Sequence, residues 1–302
     1  MERSDVEHVP VLPEPLAEQI NLPQDGVMVD VTVGHGGHSF LFGRKLGPKG
    51  VLIGMDIDSL SLQRAQARLA DLDCQVVLIK SNFARVAECL GEFGLRGVDF
   101  ILADLGFCSA QLADAEIGLS FRNEDVPLDM RIDESLETTA ADIVNGYDEK
   151  ALADLIYEYG QDRASRRIAR FIVRRRQQER ITTTGQLVEI VCSALRRPGS
   201  RPRARKHPAT RTFQALRIAV NRELENLKTL LSVAPTLLKK DGYLAIISFH
   251  SLEDGLVKWD FKGKQSEGTY RVLTKKPIAA DRDEVMVNRR ARSAKLRIAQ
   301  KN

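Results

Sequence analysis

Cysteine is scarce in this sequence, with four residues spread along the chain. None of them forms the Cys-x-x-Cys spacing of a zinc site, and their placement does not resemble a disulfide framework. Apolar runs are also short, since none approaches the roughly 18 residues that a membrane-spanning helix requires. The start, MERSDVEHVPVLPEP, lacks the charged-then-apolar pattern of a secretory signal. We therefore expect a cytoplasmic protein that binds no metal and does not associate with membranes.

Acidic residues are missing from one strongly basic segment, although the formal net charge of the chain is only +4. This segment, RRPGSRPRARK at 196–206, carries Arg201, Arg203 and Arg205, and its proline and glycine residues are typical of an exposed loop. More arginines lie within 163–180, in a helical pattern. Because uncompensated positive charge attracts a polyanion, we expect the loop to contact RNA, whereas the helical group is equally typical of a solvated face.

Short β-branched runs alternate with helical patterns in the first third of the chain, which predicts an α/β fold with a parallel sheet and helices on its faces. From about residue 111 to residue 210 the pattern is helical, and the α/β pattern then resumes. We expect a core formed by residues 1–110 and 211–302, with a helical, substrate-recognising insertion at 111–210. The predicted strands lie at 27–32, 51–57, 75–80, 98–106 and within 242–254, and the predicted helices at 61–72, 83–93, 141–160, 163–178 and 212–231.

The stretch VDVTVGHGGHS, residues 29–39, places Gly34, Gly36 and Gly37 between a strand pattern and a helical one. Glycines in such a turn allow backbone N–H groups to approach a ligand closely. The turn lacks the Gly-Lys-Ser/Thr of a phosphate-binding P-loop. Asp56 ends the next strand pattern, where it can bind ribose hydroxyls. These residues alone leave a dinucleotide, S-adenosylmethionine and a purely structural turn open.

Asp104, at the end of the fourth strand pattern, is a candidate catalytic residue. The exocyclic amine of cytosine or adenine is conjugated with its ring, so a methyltransferase acting on it benefits from an acceptor that holds one N–H. An acid at this place can equally cap a helix or contact a cofactor. His250, in SFHSLED, is a candidate substrate contact or a structural histidine. His35 and His38 have no third ligand nearby in sequence, which argues against a metal site.

Eight segments carry a family resemblance when they are taken in order. They are HVPVLPEP (8–15), DVTVGHGGHS (30–39), GMDID (54–58), DLGFCSAQL (104–112), PLDMR (127–131), ADIVN (141–145), HPATRTFQALRIAVNRELE (207–225) and ISFHSLED (247–254). Together they closely resemble the MraW/RsmH family, the bacterial 16S ribosomal RNA N4-cytosine methyltransferases. The match runs from His8 to about Lys258, with RSAKLRIA (292–299) near the end.

The resemblance implies a Rossmann-like class I methyltransferase core that uses S-adenosyl-L-methionine. It implies methylation of a cytidine N4 in the decoding region, with 16S rRNA of the small ribosomal subunit as the partner. Glycine amides would then meet the amino-acid end of the cofactor, Asp56 its ribose hydroxyls and Phe83 its adenine. The implied cofactor contacts are Gly36, Gly37, His38, Asp56, Phe83, Asp104 and Gln111.

The sequence departs from the family pattern at three places. Cys108-Ser109-Ala110-Gln111 replaces Ser-Ser-Pro-Gln, Ile117 replaces an arginine, and Gly255 replaces the arginine after SFHSLED. The lost arginines would weaken the grip on RNA, for which Arg131 and the arginine-rich insertion are candidate substitutes. Two other functions remain compatible with the residues: a nicotinamide oxidoreductase, and a non-catalytic RNA-binding protein that holds the cofactor as a structural ligand.

Overall fold

The computed structural model describes residues 9–95, 97–106, 118–119, 126–196 and 207–302. The strands are β1 (Val27–Asp30), β2 (Val51–Asp56), β3 (Gln75–Lys80), β4 (Val98–Asp104), β5 (Leu238–Ser248), β6 (Tyr270–Val272) and β7 (Lys295–Lys301). The helices are α1 (Pro13–Gln19), α2 (Gly37–Gly43), α3 (Ser59–Leu69), α4 (Val86–Glu92), α5 (Ala140–Gly146), α6 (Glu149–Gly160), α7 (Ser165–Arg176), α8 (Thr184–Leu195), α9 (Thr210–Asn221), α10 (Glu223–Leu237), α11 (Ser251–Ser266) and α12 (Arg282–Val287), with 3-10 turns at Phe83–Arg85 and Arg289–Ser293. Among the described residues, no helix has both the length and the apolar character needed to cross a membrane.

The seven strands form one sheet in the order β3-β2-β1-β4-β5-β7-β6. The first five strands of this order are parallel, and β7 is antiparallel to both β5 and β6. This arrangement is a Rossmann-like α/β sheet, so the predicted fold class is confirmed. The last predicted strand, within 242–254, is displaced along the chain, because β5 runs from Leu238 to Ser248 and α11 begins at Ser251.

Both faces of the sheet are covered, which explains why its strands are apolar without alternation. In β1, Val27 and Val29 point into one hydrophobic cluster, which includes side chains of α4, α10 and α11. Met28, between them, points into the opposite cluster, which includes side chains of α1, α2 and α3. The sheet is therefore the middle of three layers, and its loops at the strand ends are left free to carry function.

The chain divides into two compact units, one formed by Met1–Cys108 with Leu224–Asn302 and the other by Ser109–Glu223. The second unit contains α5 to α9. The expected core boundary at residue 211 is wrong, because α9 packs against α6 within the helical unit. The two helices approach so closely that a Cβ atom on Gly160 would lie 2.5 Å from the backbone oxygen of Arg211.

The single helix predicted at 212–231 is also wrong. Arg222 has a left-handed backbone with φ 51°, and it separates α9 from α10. Asn221 fixes the end of α9, since its side chain donates to the backbone oxygen of Met130 and accepts from Ile132 N–H. The hydrophobic period continues across the break, so periodicity alone could not locate it.

Candidate active site

Three parallel strands end in an aspartate at the same edge of the sheet. β2, β1 and β4 are neighbours, and they end at Asp56, Asp30 and Asp104. In open α/β sheets, ligands bind outside the carboxyl ends of the strands, where the strand order reverses. Here that point lies between β1 and β4, so Asp30 and Asp104 flank the expected binding crevice.

The glycine turn after β1 is tied to the strands on either side of it. Val31 N–H donates to the backbone oxygen of Leu102 in β4, at 2.9 Å. Val33 N–H donates to the backbone oxygen of Met55 in β2, at 2.8 Å. The turn is therefore a fixed part of the sheet edge, although it belongs to neither neighbouring strand.

Gly36 ends the turn and caps α2 with φ 77°, a left-handed conformation that favours glycine. A Cβ atom at Gly36 would also lie 3.4 Å from the Cα atom of Ala65 in α3. Gly34 is left-handed as well, with φ 50°. Gly37 opens α2 directly after Gly36. The predicted glycine positions thus bring bare backbone to the sheet edge beside Asp56.

Asp56 accepts two backbone hydrogen bonds, from Gly34 N–H at 2.9 Å and from Asp58 N–H at 2.9 Å. Burial raises the pKa of the Asp56 carboxyl to about 6, and these two hydrogen bonds only partly oppose the rise. A carboxylate in this state gains from further donors. Its chemistry suits the hydroxyl groups of a ribose, as the resemblance implied.

Asp30 is an acid that the sequence reasoning missed. It is 1% exposed, and its carboxylate accepts from the Ser39 hydroxyl at 2.7 Å and from Thr32 N–H at 3.2 Å. Burial raises its pKa to about 6. An acid as the last residue of a strand that is otherwise apolar, just before a glycine turn, was the available signal.

Asp104 and His38 face one another beside Asp30. His38 Nε2 lies 3.7 Å from Asp104 Oδ2, and the His38 side chain is 6% exposed. Asp104 Oδ1 accepts from Gly106 N–H at 3.2 Å, while Asp104 N–H donates to the Thr32 hydroxyl at 2.7 Å. Both ring nitrogens of His38 are shielded from solvent, so any ligand contact at this residue falls to its backbone.

Phe83 lies on the 3-10 turn that follows β3, at the same sheet edge. Asn82 fixes the start of this turn by accepting from Ala84 N–H at 2.9 Å. Phe83 is half-buried and packs against the hydrophobic cluster on one face of the sheet. It has the position expected for an adenine contact, and it also has a packing role.

His250 caps the N-terminus of α11, after β5. Its Nδ1 accepts from Glu253 N–H at 3.4 Å, and its Nε2 lies 3.2 Å from Glu253 Oε1. Glu253 in turn accepts from His250 N–H at 3.2 Å, which completes a capping box. The structure thus gives His250 a local structural role, and contact with the substrate stays a prediction.

The next acid of the same motif, Asp254, is anchored to β7. It accepts from Lys295 Nζ at 3.0 Å and from Arg297 Nε at 2.7 Å. Burial raises the pKa of the Asp254 carboxyl, but these two cations outweigh that effect and hold it below its usual value. The SFHSLED motif therefore mainly connects β5 to α11 and holds α11 against β7.

Several predicted residues lie outside the described part of the chain: Gln111, Arg201, Arg203 and Arg205, with Cys108 and Ile117 among the departures. Arg131 is described, and it is already engaged. It donates to both carboxylate oxygens of Asp129, at 2.7 and 2.9 Å, and to the backbone oxygen of Leu136 at 2.7 Å. The PLDMR motif is therefore built around an internal ion pair, which leaves Arg131 a poor substitute for the lost RNA-binding arginines.

The edge as a whole offers bare backbone at a glycine turn, the carboxylates of Asp56 and Asp104 and a half-buried aromatic ring, with the buried Asp30 between the two carboxylates. Acceptors of this kind hold hydroxyl, amine and ammonium groups, and the glycine turn admits a ligand backbone closely. Asp56 lies on one side of the turn and Asp104 on the other, so one extended ligand can meet both. Such a site can bind a nucleoside and present a second group near Asp104.

The chain is similar to known methyltransferases over nearly its whole length. A family model described as the MraW methylase family matches residues 5–302. The ribosomal RNA small subunit methyltransferase H of Brevibacillus brevis is 42% identical over 309 residues, covering 97% of this chain and 98% of the relative. The protein of the same name from Acidobacterium capsulatum is 46% identical over 300 residues, with the same two shares. A solved rRNA methylase from Streptococcus thermophilus has a TM-score of 0.39 and 10% identity, over 93% of this chain and 89% of that one.

Proposed function

The chain belongs to the MraW methylase family, and we propose that it methylates the N4 atom of a cytidine in 16S rRNA, within the decoding region of the small ribosomal subunit. As a member of this family it is an rRNA methyltransferase with S-adenosyl-L-methionine as its methyl donor. The observation that carries the finer assignment is Asp104, a partly exposed carboxylate at the strand-order reversal beside the glycine turn. A carboxylate at this position can accept an N–H from the exocyclic amine of cytosine, which is the nucleophile of the proposed reaction.

The residues at the edge fit S-adenosyl-L-methionine. The Asp56 carboxylate suits the ribose hydroxyls, the backbone of Gly36 and Gly37 suits the amino-acid end, and Phe83 offers an apolar surface to adenine. Gly106 allows the Phe249 ring to pack beside the turn after β4, because a Cβ atom at residue 106 would lie 2.7 Å from that ring. When bound, the cofactor supplies an electrophilic sulfonium methyl group.

Asp104 is the residue that we assign to the amine. The lone pair of the cytosine N4 is delocalised into the ring, and an acceptor that holds one N–H helps to free it as positive charge develops. Asp104 Oδ1 is occupied by Gly106 N–H, so Oδ2 is the oxygen available to the amine. Water removes the surplus proton after transfer. The Asp104 carboxylate stabilises the positive charge that develops on the amine nitrogen as the methyl group is transferred.

The RNA partner is supported by the arginines of α7 and its N-terminal flank. Within the described residues, part of this set is engaged in the fold: Arg170 approaches Glu149 at 3.5 Å, and Arg176 donates to the backbone oxygen of Val144 at 2.8 Å. Arg163, Arg166 and Arg174 are exposed and have no salt bridge in the same described part. We assign these three to phosphate contacts, which give affinity that falls with salt.

The test is incubation with radiolabelled S-adenosyl-L-methionine and small ribosomal subunits from a strain that lacks the modification, followed by nucleoside analysis. We expect label in N4-methylcytidine. Label in another nucleoside would overturn the N4 assignment. Cofactor binding and salt-sensitive subunit binding without any label would favour the non-catalytic RNA-binding protein. Replacing Arg163, Arg166 and Arg174 by glutamine, with Arg176 left intact, should weaken subunit binding at low salt and flatten its salt dependence.

A further inference from the structure

His38 has a buried imidazole that the mechanism above does not use. Its side chain is 6% exposed, and neither ring nitrogen has a hydrogen-bond partner in the described part of the chain. Buried polar groups in folded proteins are nearly always paired, because an unpaired one has lost its water without compensation. An apolar residue would fill the same space without this cost, so the ring needs an explanation beyond packing.

The acid facing this ring is Asp104, with 3.7 Å between Nε2 and Oδ2. Asp104 is the more exposed of the two, at 17% for its side chain. Because the ring nitrogens are shielded from solvent, an incoming substrate meets the carboxylate and not the imidazole. Any effect of His38 on the reaction therefore passes through Asp104.

We propose that His38 is a positioning residue, which donates from Nε2 to Asp104 Oδ2 and so fixes the carboxylate that receives the amine. A closure of about 0.5 to 1 Å turns the present approach into a charge-assisted hydrogen bond. The two oxygens of Asp104 are then held from different sides, Oδ1 by Gly106 N–H and Oδ2 by His38, and the second lone pair of Oδ2 stays available to the substrate. This inference rests on the proposed function, since it gives the pair a task only if Asp104 binds the amine.

The neighbouring groups favour this direction of donation. Asp30 interacts electrostatically with both His38 and Asp104, and it is fixed by the hydroxyl of Ser39, the residue next to His38. Because the carboxylates of Asp30 and Asp104 are both acceptors, the imidazole of His38 is favoured as a hydrogen-bond donor. The histidine must then carry its proton on Nε2, and the hydrogen bond at that nitrogen sets the tautomer.

Two substitutions separate this role from packing. His38→Gln places an amide N–H near the position of Nε2, whereas His38→Asn places it near Nδ1. Under saturating S-adenosyl-L-methionine, we expect the single-turnover methyl-transfer rate to fall about 10- to 100-fold in His38→Asn and to stay within about 3-fold in His38→Gln. Cofactor Kd and subunit affinity should be equal in the two variants, so that a difference in rate between them reports the position of the N–H donor. Equal rates in the two variants, at equal folded fractions, would overturn the proposal.

A second measurement leaves His38 in place and needs neither RNA nor cofactor. In protein labelled with ¹⁵N-histidine, assigned by comparison with His38→Gln, we expect the Nε2–H tautomer of His38, and a shift of its signals in Asp104→Asn. An Nδ1–H tautomer that Asp104→Asn does not change would refute the contact, even in an active enzyme. If wild-type protein transfers no methyl group while the tautomer result holds, the proposed function fails and the His38–Asp104 contact stands.

Discussion

Folding shifts the pKa of the acids at two places on the same sheet in opposite directions. At the glycine-loop edge, formed by Asp30, Asp56, Asp104 and His38, burial raises the pKa of Asp30 and Asp56, and the ring nitrogens of His38 have no hydrogen bond within the described residues. At the β5 junction, formed by His250, Glu253, Asp254, Lys295 and Arg297, the pKa of Asp254 is lowered, and its carboxylate is held by two cations. At the glycine-loop edge, polar groups remain that a ligand can satisfy. At the β5 junction, the Asp254 carboxylate is satisfied by side chains of the protein itself. Motifs of equal prominence in the sequence therefore have different tasks.

The strongest test of this contrast is the loss of Asp254. Its partner Arg297 is 7% exposed, so Asp254→Ala leaves a buried guanidinium without its anion. We expect the free energy of unfolding to fall by about 3–5 kcal/mol. Chemical denaturation measures this fall. A cofactor Kd that changes in the folded fraction while stability does not would contradict the structural role of the junction.

Asp104→Asn should have the reverse profile. It keeps the shape of the side chain and removes the charge that stabilises the amine, so we expect the single-turnover rate at saturating cofactor to fall about 100-fold. The midpoint of thermal unfolding should stay close to that of the wild type. Rapid-quench methylation of small subunits gives the rate, and a full rate with normally bound cofactor would rule out the role assigned to Asp104.

Asp56 and Asp58 allow the same contrast between a ligand-binding acid and a structural acid to be tested at two positions that are close in sequence. Asp58 caps α3 by accepting from Leu60 N–H and Ser61 N–H, whereas Asp56 ends β2 and faces the site. Asp56→Asn removes charge-assisted hydrogen bonds to the ligand and should weaken S-adenosyl-L-methionine binding about 10- to 30-fold. Asp58→Asn, which retains a capping oxygen, should leave the Kd within about 2-fold. Calorimetric titration compares the two, and equal Kd values would remove Asp56 from the binding site.

The smallest effect concerns pH. Because folding raises the pKa of Asp30 to about 6 from 3.8, the folded state binds a proton that the unfolded state does not bind in this interval. Stability should therefore rise as the pH falls from about 7 to about 5, by about 1 kcal/mol for this carboxyl. Asp30→Asn should remove that share of the rise.

Asp254 predicts the opposite slope in a different interval. Its pKa is lowered from 3.8 by folding, so its contribution is complete above that value and is lost as the pH falls below it. Denaturation curves across both intervals compare the two regions in one protein. A wild-type stability that does not rise between about pH 7 and about pH 5, or that Asp30→Asn leaves unchanged there, would contradict the buried state of Asp30.

Much of this architecture is predictable from sequence because strand and turn signals are local. The apolar strand patterns, the left-handed Gly36 and the aspartates that end β2 and β4 follow from residue type and spacing. The inward direction of the His38 ring and the break at Arg222 do not, because each depends on contacts with distant segments. His38 occupies a motif position whose resemblance suggests ligand contact, and only the packing of α2 places its ring behind Asp104. The position of Asp30 at the end of a strand pattern can be read from the sequence, but the burial of its carboxyl group cannot.

The position of β7 in the sheet has a consequence for how the protein is made. This strand lies between β5 and β6, but it is formed by residues 295–301. The ribosome therefore synthesises it long after β1 to β4 and the helical unit. Among the described strands, β6 pairs only with β7, and the ion pairs of Asp254 cannot form before Lys295 and Arg297 are synthesised. Because domains fold as units during synthesis, the helical unit can fold before the sheet is complete. Until β7 is inserted, the incomplete sheet has an unpaired edge that chaperones and proteases can reach.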